Sequence, residues 1–239
     1  MERLDKILAG GGLGSRKEIK QLLRTGGVLV DGQEVRDPSL HIDPAAAQIT
    51  VFGKPFHYQK YIYLMMNKPD GVVSATEDNR FPTVVDLLDE EARRFAPFPV
   101  GRLDRDTEGF LLLTNDGQTA HRLLSPRKHV PKTYLAQLAQ DAQSSYIAAF
   151  EQGVMLEDGY RTLPAQLALD ENNPRQIRLT IYEGKFHQVK RMFEAVGNRV
   201  CYLKRIRFGS VPLDDTLAPG EYRPLSAEEC EKLGIEETI

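Results

Sequence analysis

The sequence predicts an α+β protein, a small N-terminal helix–helix–hairpin module ahead of a larger domain with a mixed, largely antiparallel sheet flanked by helices. Three observations point there. Segments of helical period and of strand alternation are interspersed without the regular strand–helix–strand order of a doubly wound sheet. Two capping boxes, Ser15 with Glu18 and Ser226 with Glu229, each mark a helix start. Asp31-Gly32, between two short β-prone runs, is the chemistry of a tight hairpin turn.

In chain order, Leu4, Ile7 and Leu8 recur at helical spacing, and Gly10, Gly11 and Gly12 end that first helix. Ile19, Leu22 and Leu23 form the buried stripe of the second, which Gly26-Gly27 stops. Arg16, Lys17, Lys20 and Arg24 fall off that stripe and crowd the exposed side. Val28 to Val35 then reads as two short strands around the Asp-Gly turn. Lys54 to Lys60 has no periodicity and is expected to link a module of residues 1–58 to a domain of residues 59–239.

A buried strand, Tyr61 to Met66, is expected to open the larger domain. Val84, Leu88, Ala92 and Phe95 mark a helix, and Phe110–Thr114, Lys132–Leu138 and Gln176–Tyr182 mark strands. Val189, Met192, Phe193 and Val196 form another helical stripe, ended by Gly197, and Gly234 stops the last helix.

With 239 residues, 41% hydrophobic and 27% charged, the chain can build a real core. Its net charge of −3 excludes a polycationic coat for nucleic acid but leaves room for local basic faces. Two such faces stand out. Residues 1–24 hold six Lys/Arg against three Asp/Glu, and residues 185–207 hold seven against the single Glu194. Both suit phosphate binding, although a solvated helix face is the ordinary explanation of the first. The two cysteines, Cys201 and Cys230, fit no metal motif, so no metal site is expected, and Cys201 reads as a buried small hydrophobe. The N-terminus has no apolar leader, and no stretch approaches the ~18 apolar residues of a membrane span, so a cytoplasmic location without membrane contact is expected.

Two clusters are candidates for chemistry. The first, Gly101-Arg102-Leu103-Asp104-Arg105-Asp106-Thr107-Glu108-Gly109, is a polar loop held by a glycine at each end and joined to an apolar strand. That is a good place to hold a side chain rigidly, though composition alone fits a solvated surface turn as well. Asp104 and Asp106 invite comparison with a carboxylate pair, but two positions in a loop need not be close in space. The second cluster runs from Glu183 to Arg191. On the expected helix, Lys190 lies about 110° from the centre of the buried stripe and borders the core, while Arg191 lies nearly opposite it and faces solvent or a ligand.

The run Gly101 to Gly117, continuing through Phe110-Leu111-Leu112-Leu113-Thr114-Asn115-Asp116-Gly117, resembles the catalytic motif of the RsuA-type pseudouridine synthases. Asn67-Lys68-Pro69-Asp70-Gly71, Lys132-Thr133-Tyr134-Leu135 and Gly184 to Met192 agree with that family in order and spacing. Arg3-Leu4-Asp5-Lys6 with Ser15-Arg16 resembles the S4 RNA-binding module found at its front. The resemblance implies an S4 module followed by a synthase domain that isomerises uridine to pseudouridine on a flipped-out nucleotide. It assigns the catalytic carboxylate to Asp104, uracil stacking and help with C5 deprotonation to Tyr134, and the cation paired with Asp104 to Lys190. Arg102 would fill the gap left by the extruded base, and Leu103 and Ile206 would line the pocket or merely pack the core.

Further contacts to RNA are expected from Arg3, Lys6, Ser15, Arg16, Lys17, Lys20 and Arg24 in the module, and from Lys68, Lys185, His187, Gln188 and Arg191 beyond it. The chemistry implies no cofactor. The run Phe186-His187-Gln188-Val189-Lys190 matches the subgroup that modifies 16S ribosomal RNA, so the expected partner is that RNA, free or in an assembling small-subunit particle, met by a monomer. The alternatives are a synthase acting on 23S rRNA and a non-catalytic RNA-binding assembly factor. A glycoside hydrolase using Asp104 with Asp106 or Glu108 fits the basic surroundings poorly.

Overall fold

The computed structural model describes residues 1–56 and 58–235; His57, in the expected linker, lies outside the described residues. The described chain forms two compact units, one of Met1–Ile62 with Leu88–Pro97, the other of Tyr63–Leu87 with residues 98–235.

The first unit holds helices α1 (Leu4–Gly10), α2 (Arg16–Arg24) and α3 (Glu90–Arg94). Its strands are β1 (Glu2–Arg3), β2 (Val28–Val30), β3 (Gln33–Glu34), β4 (His41–Ile42), β5 (Ile49–Val51) and β6 (Lys54–Phe56). Leu4, Ile7 and Leu8 of α1 pack with Ile19 and Leu23 of α2 and with Val28, Val30, Ile42 and Ile49. The capping box forms as expected: the Ser15 hydroxyl accepts from the Glu18 amide at 3.4 Å, and the Glu18 carboxylate accepts from the Ser15 amide at 2.7 Å. Losing such a cap typically costs about 1 kcal/mol. Asp31 and Gly32 both take positive φ, 51° and 79°, as the two-residue turn joining β2 to β3 requires. Part of the expected linker is instead a strand, since β6 pairs antiparallel with β5. Its turn, Phe52-Gly53, again has positive φ at both residues, 46° and 76°. A phenylalanine at the first turn position carries no turn signal, which is why the hairpin is hidden in the sequence.

The second unit is built on a nine-stranded sheet. Its strands are β7 (Tyr63–Lys68), β8 (Phe98–Pro99), β9 (Glu108–Thr114), β10 (Lys132–Leu138) and β11 (Gln166–Leu169). They continue with β12 (Gln176–Ile181), β13 (Val200–Phe208), β14 (Val211–Pro212) and β15 (Tyr222–Pro224). The order is β11-β12-β10-β13-β9-β7-β15, with β14 beside β13 and β8 beside β9. Every pairing is antiparallel except β9 with β13. Helices α4 (Gly117–Leu124), α5 (Ser145–Glu151), α6 (Gln188–Glu194) and α7 (Ala227–Lys232) flank it. Met65, Phe110, Leu112 and Phe208 from the sheet pack with Ala120 and Leu123 of α4 and with Leu233 after α7. The fold is thus α+β with a mixed, mainly antiparallel sheet.

Three expectations need correction. Residues 84–88 are turns, and only α3 is helical in the expected Val84–Phe95 helix. The Asp86 carboxylate accepts from the Thr83 amide at 2.7 Å and the Val84 amide is committed to the Val73 carbonyl, so local bonds compete with a helix. Residues 200–207, within the run 185–207 expected as basic surface, lie on the longest strand, β13. Cys201 on that strand is exposed, and Cys230 is the buried one. Among the described residues no helix is long and apolar enough to cross a membrane.

Candidate active site

The loop that resembles a catalytic motif joins β8 to β9, and the structure ties it down from several sides. Gly101 (φ 77°) and Gly109 (φ 101°) supply backbone that other residues rarely adopt. Between them the Leu103 amide donates to Ser74 Oγ at 3.1 Å, while that hydroxyl donates to the Leu103 carbonyl at 3.0 Å. The Thr107 amide closes a turn on the Asp104 carbonyl at 3.0 Å, and the Gly71 amide donates to the Arg105 carbonyl at 3.0 Å.

Lys68 lies beneath this loop with 0% exposure. Its Nζ donates to the carbonyls of Pro69, Arg105 and Thr107 at 2.9, 3.1 and 2.9 Å. The expected RNA contact from Lys68 is therefore corrected: all three donors serve the loop. Burial draws its ammonium down to about 8, against the opposing pull of Asp70, Asp106, Glu108 and Asp104.

Asp104 faces α6. Lys190 Nζ lies 3.2 Å from Asp104 Oδ2 and 2.6 Å from Asp106 Oδ1, and His187 Nε2 lies 3.6 Å from Asp104 Oδ1. One lysine thus joins the two carboxylates whose proximity the sequence left open. Burial works against the charge on Lys190, but the bonds and charges of Asp106 and Asp104 outweigh it and hold the ammonium above its ordinary value. Burial would likewise raise Asp106, but Lys190 reverses the direction and holds it below the usual carboxylate range. Tyr134, buried on β10, shares with Arg102, Leu103, Asp104, His187 and Leu203 the lining of one cleft. Ile206 is half-buried and not part of that lining. Arg102 is exposed.

The start of α6 is shaped by Gln188, which is buried. Its side chain accepts from the Lys185 amide at 2.9 Å and donates to Glu183 Oε1 at 2.9 Å, while Glu183 also accepts from Tyr160 and from the Leu163 amide. Gln188 thus braces the start of α6 from within, and it also lines the cleft with Asp104 and Tyr134. Preceding it, His187 takes φ 48°, and its ring stacks 3.8 Å from that of Phe186, which is 75% exposed. The exposure of Phe186 is hidden in the sequence, because an apolar residue inside a basic run gives no sign of it.

The basic run 185–207 is not one surface. Arg205 is 2% exposed, donates to the Phe110 carbonyl at 2.7 Å and lies over the Phe208 ring. Arg191 pairs with Asp158 at 2.5 Å, and Arg207 donates to the Ser210 carbonyl. Lys185 is exposed and lies 4.6 Å from the centre of the Tyr160 ring. In the first unit, Arg3 pairs with Asp5, Lys6 with Glu2, and Ser15 caps α2. Arg16, Lys17, Lys20 and Arg24 are all exposed and spread over an arc of about 100° on α2. Among the described residues no group of three or more His, Cys, Asp or Glu side chains could hold a metal ion.

Residues 62–195 match the family model described as RNA pseudouridylate synthase, and residues 2–46 match that of the S4 domain. The chain belongs to the RNA pseudouridylate synthase family and carries an S4 domain at its front. It is 57% identical to a protein of Bacillus subtilis (strain 168) named uncharacterized RNA pseudouridine synthase YtzG, over 97% of this chain and 98% of that one. It is 44% identical, at the same coverage, to the ribosomal small subunit pseudouridine synthase A of Yersinia pestis. A crystal structure of a pseudouridylate synthase, 38% identical, superimposes with a TM-score of 0.68 over 98% of this chain and 100% of its own.

Proposed function

We propose that this protein isomerises a uridine of 16S ribosomal RNA to pseudouridine, using Asp104 on a nucleotide extruded from the RNA stack. The observation that carries the reading is that Asp104, on a braced loop, and Tyr134, on a strand, line one cleft, with Lys190 of α6 3.2 Å from the Asp104 carboxylate. The reaction breaks the N1–C1′ bond, turns the base and rejoins it through C5, whose proton is lost while N1 gains one. No electrons are exchanged with a second reagent, so the chain's own groups suffice. Asp104 supplies a carboxylate at the C1′–C2′ edge of the ribose. Lys190 balances its charge, and Tyr134 stacks on the uracil and assists removal of the C5 proton. Arg102, exposed at the mouth, fills the space that the base vacates.

Residues 1–58 dock the RNA and residues 59–239 do the chemistry, in the cytoplasm, as a monomer acting on free 16S rRNA or an assembling small-subunit particle. The choice of 16S over 23S rRNA is supported by the Yersinia pestis relative's name and by the His187-Gln188-Val189-Lys190 run. The test has two parts. Tritium release from RNA bearing 5-tritiated uridine is expected from the wild type and not from Asp104→Asn, which should still bind RNA. Activity of Asp104→Asn within roughly tenfold of wild type would remove Asp104 from the chemistry. Mapping pseudouridine in 16S, 23S and transfer RNA treated with the protein decides the substrate, and modification confined to the latter two would overturn the 16S assignment.

A further inference from the structure

Thr107 is 1% exposed, and its Oγ1 is buried without a hydrogen-bond partner among the described residues. The residue lines the cleft that holds Asp104 and Tyr134. Buried side-chain atoms in the same condition belong to Glu2, Asn67 and Arg205, and none of those residues lines the cleft. A buried hydroxyl with no partner is destabilising, and valine would fill the same space without that cost. A hydroxyl kept at such a place is accounted for when a ligand completes it.

The backbone of Thr107 is fully committed. Its amide donates to the Asp104 carbonyl at 3.0 Å, and its carbonyl accepts from Lys68 Nζ at 2.9 Å. Its backbone is therefore held against Asp104, three residues away in the same turn. We propose that the Thr107 hydroxyl is a substrate contact, hydrogen-bonding a carbonyl of the extruded uracil; the inference rests on the function proposed above.

The chemistry of the base favours such a donor. Uracil is pseudo-symmetric about the line through N3 and C6, so half a turn about it brings C5 to where N1 stood and exchanges the two carbonyls. One hydroxyl at that edge is satisfied by a carbonyl both before and after the base turns. A bond made to the bound uracil and kept as the N1–C1′ bond breaks stabilises substrate and transition state equally, so its loss falls on KM and spares kcat.

The experiment compares full-length wild type, Thr107→Val, Thr107→Ser and Asp104→Asn for thermal stability and for KM and kcat in tritium release. Thr107→Val is expected to keep or raise the melting temperature while KM rises about tenfold and kcat stays within about threefold. Thr107→Ser should recover most of that rise, because the hydroxyl returns. A Thr107→Val enzyme with wild-type KM would overturn the proposal. So would a fall in stability that tracks the activity loss, since the hydroxyl would then serve the fold. An inactive wild type would fail the underlying function, and the proposal with it. An active wild type beside an inactive Asp104→Asn upholds that function, and the Thr107 variants then decide the hydroxyl's role by themselves.

Discussion

Gly109 and Arg205 face each other across the parallel pairing of β9 with β13, so closely that a Cβ on Gly109 would sit 2.3 Å from the Arg205 carbonyl oxygen. No side chain fits there without moving one of two central strands, and the φ of 101° is strained for any residue but glycine. Gly109→Ala should lower stability by roughly 3 kcal/mol or more in urea unfolding. A loss below about 1 kcal/mol would mean that the pairing yields easily.

Lys190 is the cation of two carboxylates. Lys190→Met should lower kcat by about a hundredfold or more with RNA affinity little changed, and Lys190→Arg should restore part of it. The pair with Asp106 also has an acid signature. Because Lys190 holds Asp106 below its ordinary value of 3.8, the stability it contributes is in place above that pH and is lost as acid titrates the folded carboxyl below it. Asp106→Asn should flatten this acid limb in thermal melts, and an unchanged limb would show that the pair is thermodynamically silent.

Tyr134→Phe keeps the stacking face and removes the hydroxyl. RNA binding is expected to persist, while turnover in the tritium assay drops by about a hundredfold or more. Normal turnover would confine this ring to stacking.

The exposed α2 face is a matter for salt titration. Changing Arg16, Lys17, Lys20 and Arg24 together to Gln should weaken rRNA binding and shrink the log–log salt slope by roughly 0.7–0.9 for each phosphate no longer neutralised. A slope equal to that of wild type would make the face a solvated one only.

Lys68 brings an alkaline prediction. Its folded value of about 8 lies below the ordinary 10.5, so burial penalises the charged form at neutral pH, and that penalty is relieved as pH rises through the interval. Over the same interval the amine loses a proton and cannot donate to all three loop carbonyls at once. The rate should therefore fall above about pH 8 without a matching loss of stability from this group. A pH–rate profile flat to the foot of global unfolding would show that the rate does not depend on the charge of Lys68.

Much of this is legible in the sequence where a local rule governs the outcome. Both capping boxes, the Asp31-Gly32 turn and the Lys132–Leu138 strand depend on neighbours in the chain, and they form at the expected positions. Asp104, Tyr134 and Lys190 are carried by family motifs; Asp104 and Tyr134 line one cleft, and Lys190 pairs with Asp104. What stays hidden depends on distant partners. Lys68 and Gln188 look like ordinary polar surface residues until the loop above one and Glu183 beside the other are in place. The strand Val200–Phe208 hides because its basic residues read as a surface, whereas Arg205 is turned inward. The unpartnered Thr107 hydroxyl has no sequence signal at all.

In the antiparallel ladder of β7 with β9, Lys68 stands directly opposite Gly109, the residue that ends the loop carrying Asp104. The anchor of the loop and the loop's own end are thus neighbours in one ladder. Slipping that ladder by a single residue would turn Lys68 to the opposite face of the sheet and strip the loop of its three tethers. On the proposed function, turnover would thus report the alignment of these two strands: a chain that pairs them wrongly loses the tethers of the loop that carries Asp104.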